Sequence, residues 1–96
     1  MAKLILKQHI RNNTLMIALC DDNLVNKVFE EGNKQIDLTG SYFDGEIVSK
    51  EIAQDMIQKA KSATIVGETA TKIAKKVFED CTIDTIDSIP IITVFR

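Results

Sequence analysis

The chain has 96 residues, of which 45% are hydrophobic and 27% are charged, and its formal net charge is −2. This length predicts one domain, residues 1–96, and the composition is typical of globular rather than disordered chains. No apolar run approaches the roughly 20 residues needed to cross a bilayer, and charges interrupt the N-terminal apolar stretch too early for a secretory signal. We therefore expect a single cytoplasmic domain.

The N-terminal segment predicts a β-hairpin. Residues 3–10 and 14–20 are rich in Leu and Ile, and Asn12 and Asn13 lie between them. Asparagine tolerates a positive φ, so the Asn pair suits a tight type I′ turn and sets the strand register. One face then collects most of the large apolar side chains, which are Leu4, Leu6, Ile10, Leu15, Ile17 and Leu19.

The central segment predicts a short helix followed by a strand. Asp21 and Asp22 suit the N-cap of a helix that ends at Gly32. A strand is expected over residues 34–39, and the Asp-Gly pair at residues 44–45 predicts a second tight turn between extended segments.

The second half predicts two helices and two strands. Ser49 suits the N-cap of a helix over residues 50–61, and residues 63–66 form an apolar run typical of a buried strand. Gly67 ends that strand, and a second amphipathic helix is expected over residues 68–80. Residues 84–88 suggest one helical turn before Pro90 and a closing strand.

These elements predict an α+β fold, with a hairpin-led mixed β-sheet and two main helices packed on it. The closing strand, Ile91–Phe95, is short and apolar. If it lies at an exposed edge of the sheet, it is a surface for pairing with a second copy. A homodimer through Ile91–Phe95 is therefore one expected partner arrangement.

The sequence contains few residues that could bind a metal ion or act as a nucleophile. The chain has two cysteines and one histidine, far apart, whereas structural zinc needs about four such ligands. In the expected hairpin His9 faces Met16, and Cys20 lies roughly 13 Å further along, at about 3.3 Å per residue. That separation exceeds hydrogen-bond reach. We predict no catalytic residue, no metal and no cofactor.

Two strand-to-helix corners are candidates for a small-molecule pocket. A helix beginning after Cys20 would lower the thiol pKa, whereas the neighbouring carboxylates would raise it. Gly67 and Glu68 open the second helix, a position that suits phosphate, although one glycine is not a phosphate loop and Glu68 repels an anion. If the corners meet, Cys20, Asp21, Gly67 and Glu68 line one pocket. Otherwise they are a buried thiol, capping acids and a tight turn.

A local basic segment is the second candidate surface. Residues 59–76 contain five lysines and one glutamate in an otherwise acidic chain. If the two helices lie side by side, the lysines form one patch that would bind RNA in a salt-dependent way, or an acidic protein surface. The segment lacks arginine and aromatic residues for base stacking, and such lysines are often only solvated. The five lysines are Lys59, Lys61, Lys72, Lys75 and Lys76.

Short motifs carry a family resemblance over nearly the whole chain. They include Ala-Leu-Cys-Asp at residues 18–21, Tyr-Phe at 42–43, Ala-Thr-Ile-Val-Gly-Glu at 63–68 and Val-Phe-Arg at 94–96. In this order they resemble a family of small archaeal proteins catalogued as domain of unknown function number four hundred twenty-four. Similar sequences place Gly at Asn26 and His at Ile91. The resemblance implies an archaeal cytoplasmic protein associated with translation genes, and it supplies no catalytic residues.

Together, these observations favour a non-enzymatic binding module that acts near RNA or the translation machinery through a lysine-rich helical surface. The alternative is a small enzyme or ligand-binding protein that uses the Cys20-Asp21 corner and the Gly67-Glu68 turn.

Overall fold

The computed structural model describes residues 3–78 and 81–95. Within these residues, six strands form a mixed sheet in the order β5-β1-β2-β6-β8-β7, and β3 pairs with β4 in a separate hairpin. The fold is therefore α+β, as predicted. The elements are β1 (Leu4–Arg11), β2 (Thr14–Asp21), β3 (Val28–Glu31), β4 (Lys34–Asp37), β5 (Glu46–Val48), α1 (Lys50–Lys59), β6 (Ser62–Val66), α2 (Glu68–Val77), β7 (Asp84–Ile86) and β8 (Ile89–Phe95).

The first hairpin has the predicted turn and register. Asn12 and Asn13 have φ angles of 54° and 63°, as a type I′ turn requires. Leu6 consequently faces Leu19, and most of the large aliphatic side chains of β1 and β2 share one side of the sheet. Ile5 packs on the other side, and Ile10 is 72% exposed at the end of β1.

Both α-helices pack on that same side. Ser49 Oγ accepts a hydrogen bond from Ile52 N at 3.2 Å, which confirms the predicted N-cap of α1. The buried small and branched side chains of the helices let them approach the sheet closely. The core on this side consists of Leu4, Leu6, Ile17, Leu19, Ala53, Ile57, Ala60, Ala63, Ile65, Ala70, Ile73, Ala74 and Ile92.

The opposite side of the sheet is covered over only part of its length. The β3–β4 hairpin and two 3-10 turns, Asp22–Leu24 and Ser41–Phe43, pack where β2 and β6 end. Leu24, Leu38 and Phe43 are buried there against Cys20 and other sheet residues. At the other end of β6, Ser62 pairs with Phe95 of β8. The Phe95 side chain is 79% exposed, so this part of the sheet remains open.

The predicted helix after β2 is wrong. The chain makes one 3-10 turn at Asp22–Leu24 and then continues into β3, where Phe29 pairs with Ile36. Asn26, with φ 66°, lies in the left-handed region and breaks any helix between them. Gly32, with φ 61°, lies in the β3–β4 turn and is not a helix cap.

The predicted helical turn at residues 84–88 is also wrong. Asp84–Ile86 is strand β7, and Asp87 and Ser88, with φ angles of 52° and 65°, form its turn into β8. Burial of Ile86 against the second core favours this hairpin over an isolated helical turn. The closing strand was expected to lie at an edge of the sheet if it pairs with a second copy. In the structure β7 pairs with Ile89–Ile91, so β7 and not β8 is the outermost strand.

Smaller differences concern turns and helix ends. The Tyr-Phe pair before Gly45 lies in a 3-10 turn and not in a strand, so no hairpin forms there. Helix α1 ends at Lys59 and α2 is described to Val77. Residues 79 and 80 of the predicted second helix lie outside the described residues.

Gly45 is required by a close approach of two chain segments. A Cβ atom at this position would overlap the Leu6 carbonyl group, which is backbone and cannot move aside. We therefore expect Gly45→Ala to lower the free energy of unfolding by about 1–3 kcal/mol. The measurement is chemical denaturation.

Gly40 in the same loop provides the matched control. A Cβ atom there meets nothing within 4 Å, and its φ of −85° suits alanine. Gly40→Ala should leave stability unchanged or raise it by about 0.4–1 kcal/mol. Equal destabilisation by both substitutions would contradict the close approach at Gly45.

Candidate functional site

The two predicted corners meet at one end of the sheet. Strands β2 and β6 run parallel, with Cys20 paired to Val66, so their carboxyl ends lie side by side. The residues that follow border a cleft of about 510 Å³. Its lining is Asp21, Asp22, Asn23, Leu24, Gly67, Glu68, Thr69, Ile89 and Pro90.

Asp21 occupies the position at the start of α2 where an anionic ligand would bind. Its carboxylate accepts hydrogen bonds from Ala70 N at 2.9 Å and from Thr69 N at 3.1 Å. Gly67, with φ 111°, allows this contact, since a Cβ atom there would lie 2.5 Å from Asp21 Cγ. Because the protein itself supplies the anion, the corner joins β2 to α2, and these two amide groups are not free for a phosphate.

Cys20 does not reach the cleft as a reactive group. Its side chain is fully buried on the side of the sheet that carries the β3–β4 hairpin. Burial, followed by the charges of Asp21 and Asp22, raises its pKa to about 11. This pKa favours the protonated thiol at neutral pH, and together with the burial it argues against Cys20 as a nucleophile. Of the four predicted pocket residues, the structure brings Asp21, Gly67 and Glu68 to the cleft.

The five predicted lysines divide into separate groups. Lys72, Lys75 and Lys76 lie on the exposed face of α2 and border a groove of about 360 Å³ with Ile83. Lys59 Nζ forms an ion pair with Asp55 at 2.9 Å. The remaining member, Lys61, lies beside the open part of the sheet, so the five do not line one groove.

Lys61 contacts an aromatic ring on the open side of the sheet. Its Nζ lies 5.9 Å from the centroid of Phe95. Phe95 follows Val94, which packs on the helix side, so alternation along β8 directs Phe95 to the opposite side. From the sequence, Lys61 was expected only in the helical lysine patch and Phe95 only in the closing strand, so this contact was not predicted.

Phe95 ends a row of side chains that crosses four adjacent strands. His9 pairs with Met16, Met16 with Ser62, and Ser62 with Phe95. At the other end of the row, the His9 ring stacks on Tyr42 with centroids 4.3 Å apart. Alternation in β8 was a visible signal for Phe95, but the row itself depends on which strands are neighbours.

Two further observations concern residues 3–78 and 81–95. No group of three or more His, Cys, Asp or Glu side chains in these ranges is placed to hold a metal ion. None of the helices found there is long and apolar enough to cross a membrane.

Comparison with protein-family models identifies the chain. Residues 8–96 match the family described as Protein of unknown function (DUF424). The chain belongs to this family. The DUF424 fold described above is similar to the crystal structure of an uncharacterized conserved protein from Methanopyrus kandleri, with a TM-score of 0.78 and 20% sequence identity. That match covers 97% of this chain and 90% of the other, and it supports the fold alone. A search of curated proteins found no significant match.

The burial of Cys20 predicts selective thiol chemistry in this DUF424 protein. Cys81 is only half-buried, so a thiol-specific chromogenic disulfide should modify it in the native protein and leave Cys20 unmodified. In a Cys81→Ser variant the native reaction should disappear, and denaturant should restore one reactive thiol per chain. Rapid modification of the native variant would show that Cys20 is accessible.

The pKa of Asp21 should lie above the usual aspartate pKa, and that of Asp84 should lie below it. Burial raises the pKa of Asp21, despite its hydrogen bonds from Ala70 and Thr69. A hydrogen bond from Lys34 Nζ, followed by one from Thr85 N and the Lys34 charge, lowers the pKa of Asp84. Carboxyl carbon NMR titration measures both midpoints, and Lys34→Gln should raise only that of Asp84.

The two shifts have opposite effects on stability. The contribution of Asp21 is fully present below the usual aspartate pKa of about 3.9 and is lost as the pH rises through its raised pKa. The contribution of Asp84 is present above about 3.9 and is lost as the pH falls through its lowered pKa. An Asp21 midpoint at or below about 3.9 would contradict the raised pKa, and an Asp84 midpoint at or above about 3.9 would contradict the lowered one.

Proposed function

We propose that this DUF424 protein is a non-enzymatic module that binds RNA in the cytoplasm, near the translation machinery. The observation that carries the proposal is the concentration of unpaired positive charge on α2, in a chain whose net charge is −2. Lys72, Lys75 and Lys76 are exposed, and within residues 3–78 and 81–95 none of them takes part in an ion pair. Free thiols at Cys20 and Cys81 suit a reducing compartment.

The surface beside these lysines also suits a polyanion. Ile83 is 41% exposed and lies in the groove that the three lysines border. A flexible strand laid along the groove would place phosphates at the ammonium groups and sugar carbons on Ile83. Each phosphate contact contributes about 0.7 to the salt slope of single-strand binding, so three lysines predict a slope near 2.

A ligand-binding protein is the second candidate, because Asp21, Gly67 and Glu68 do border one cleft. The Asp21 carboxylate and the exposed Glu68 make the cleft acidic, which favours a neutral or cationic ligand over a phosphate. Such a ligand would stabilise the folded protein by RT ln(1 + [L]/Kd), so the melting temperature should rise roughly with the logarithm of the ligand concentration above Kd. Thermal-shift screening of neutral and cationic metabolites tests this candidate.

Self-association through the closing strand stays a prediction. β8 pairs with β7 only over its first three residues, so the side of the strand away from β6 lacks a β7 partner over residues 92–95. Sedimentation equilibrium tests this prediction, and a monomer at micromolar concentration would contradict it.

Charge reversal on α2 tests the RNA-binding proposal. The variant Lys72→Glu, Lys75→Glu, Lys76→Glu should weaken binding of a short labelled RNA at least 10-fold at low salt, because repulsion replaces three phosphate contacts. The salt slope should fall by about 2. Fluorescence anisotropy measures both quantities, and circular dichroism should show an unchanged melting temperature.

A charge-matched control separates the surface from the net charge. Lys3, Lys27 and Lys50 are exposed elsewhere on the molecule, and their triple replacement by Glu changes the net charge by the same amount. This control should weaken RNA binding much less. Equal weakening by the two variants, or no RNA binding by the wild-type protein, would refute the proposal.

A further inference from the structure

We infer that the open part of the six-stranded sheet binds single-stranded RNA by stacking unpaired bases on Phe95 and on the His9–Tyr42 pair. The inference rests on the proposed function for its partner class, RNA. The inferred binding surface lies on the side of the sheet opposite α2. Of the five predicted lysines, Lys61 is the one that borders it.

The row across the sheet has the dimensions of a short RNA segment. His9, Met16, Ser62 and Phe95 occupy neighbouring positions on four adjacent strands. With strands about 4.8 Å apart, three steps separate the row ends by roughly 14 Å. A stacked strand with about 3.4 Å per nucleotide covers this distance in roughly four nucleotides.

The two ends of the row are aromatic and accessible. The Phe95 side chain is 79% exposed. Exposing such a large apolar side chain to water is unfavourable, which favours a binding partner that covers it. Tyr42 is 41% exposed, and its ring lies at an interplanar angle of 13° to the His9 ring. His9 Nε2 also lies 3.0 Å from the Tyr42 carbonyl oxygen, which fixes the orientation of the pair.

The side chains beside the row leave Phe95 clear of obstruction. Thr64 and Thr93 pair with each other in the next row, on the same side of the sheet. Both are short and carry hydroxyl groups, so they leave space for a base and offer hydrogen bonds to its edge.

Positive charge surrounds the row, and negative charge is absent from it. Lys7 and Arg11 flank His9 on the same side of β1, and Lys61 Nζ lies 5.9 Å from the centroid of Phe95. Over the described lengths of β1, β2, β6 and β8, no acidic residue occupies this side of the sheet. The side therefore has the charge opposite to that of the whole chain, which complements a phosphate backbone.

The combination of flat aromatic faces and peripheral cations favours unpaired RNA over other partners. Bases stack on aromatic side chains only when they are free of a duplex, and cations beside the rings then contact the adjoining phosphates. Lys61 already lies at such a position, because its ammonium group is held next to the ring and its charge stays in solvent. An apolar protein partner would instead need a continuous apolar patch, which Ser62 and the flanking cations interrupt.

A tryptophan probe tests stacking directly. The chain contains no tryptophan, so Phe95→Trp introduces a single indole at the end of the row. A short unlabelled single-stranded RNA of mixed sequence should quench its fluorescence, whereas the same sequence in a duplex should have little effect. An Ile52→Trp variant places the indole on the exposed face of α1 and should not respond.

Affinity measurements test the contribution of each ring. Phe95→Ala and His9→Ala should each weaken single-stranded RNA binding about 5- to 150-fold, the range for losing one stacked base. Phe95→Tyr should retain binding, and Ile52→Ala is the control for loss of an exposed apolar side chain. Lys61→Gln should reduce the salt slope by about 0.7. The melting temperature of the Phe95 variants should stay near that of the wild type, because the Phe95 side chain is 79% exposed.

The outcomes distinguish this inference from the proposed function. If RNA binds and depends on Lys72, Lys75 and Lys76 but not on Phe95 or His9, the sheet inference is wrong and the proposed function stands. If no RNA binds to the wild-type protein, both are wrong. Equal affinity for single-stranded DNA would overturn the assignment to RNA, and equal affinity for duplex would overturn the stacking model.

Discussion

The carboxylate of Asp21 is the contact on which the centre of the structure depends. Asp21 is the last residue of β2, yet its carboxylate accepts hydrogen bonds from Thr69 N and Ala70 N in the first turn of α2, which begins 47 residues later. Since α2 follows directly from β6, this cap holds β2 and β6 in parallel register at their carboxyl ends. The Gly67 turn is a condition of the same contact, because a side chain there would displace the carboxylate. What first looks like a ligand pocket is therefore largely a structural junction.

The two sides of the sheet are covered to different extents. Helices α1 and α2 cover one side. On the other side, the β3–β4 hairpin and the Asp22–Leu24 turn cover the end near the junction, and the Ser41–Phe43 turn extends from that end to His9. Burial at that end explains why Cys20 has a raised pKa and no access to solvent. The uncovered end carries the His9-to-Phe95 row, and its exposure is a consequence of how short the covering hairpin is.

Much of the fold was predictable from local sequence. The Asn12–Asn13 turn determines the first register, Ser49 the start of α1, and the spacing of Ile73 and Ala74 the inner face of α2. These features depend on neighbours a few residues away, where backbone preferences and side-chain periodicity act directly. The errors at residues 22–32 and 84–88 occurred where short apolar runs suit either a helical turn or a strand, and only burial against a second core selects the strand.

Local sequence was sufficient to predict the fold class, the first hairpin, both main helices and the lysines on the outer face of α2. Which strands are neighbours depended on tertiary structure, and with it the meeting of the two corners and the row on the open part of the sheet. Tertiary structure brought Asp21 to Thr69, separated Lys61 from Lys72, and aligned His9 with Phe95 across four strands. The physical reason is that such pairings depend on the total burial gained by closing long segments of chain, and no local pattern reports that quantity.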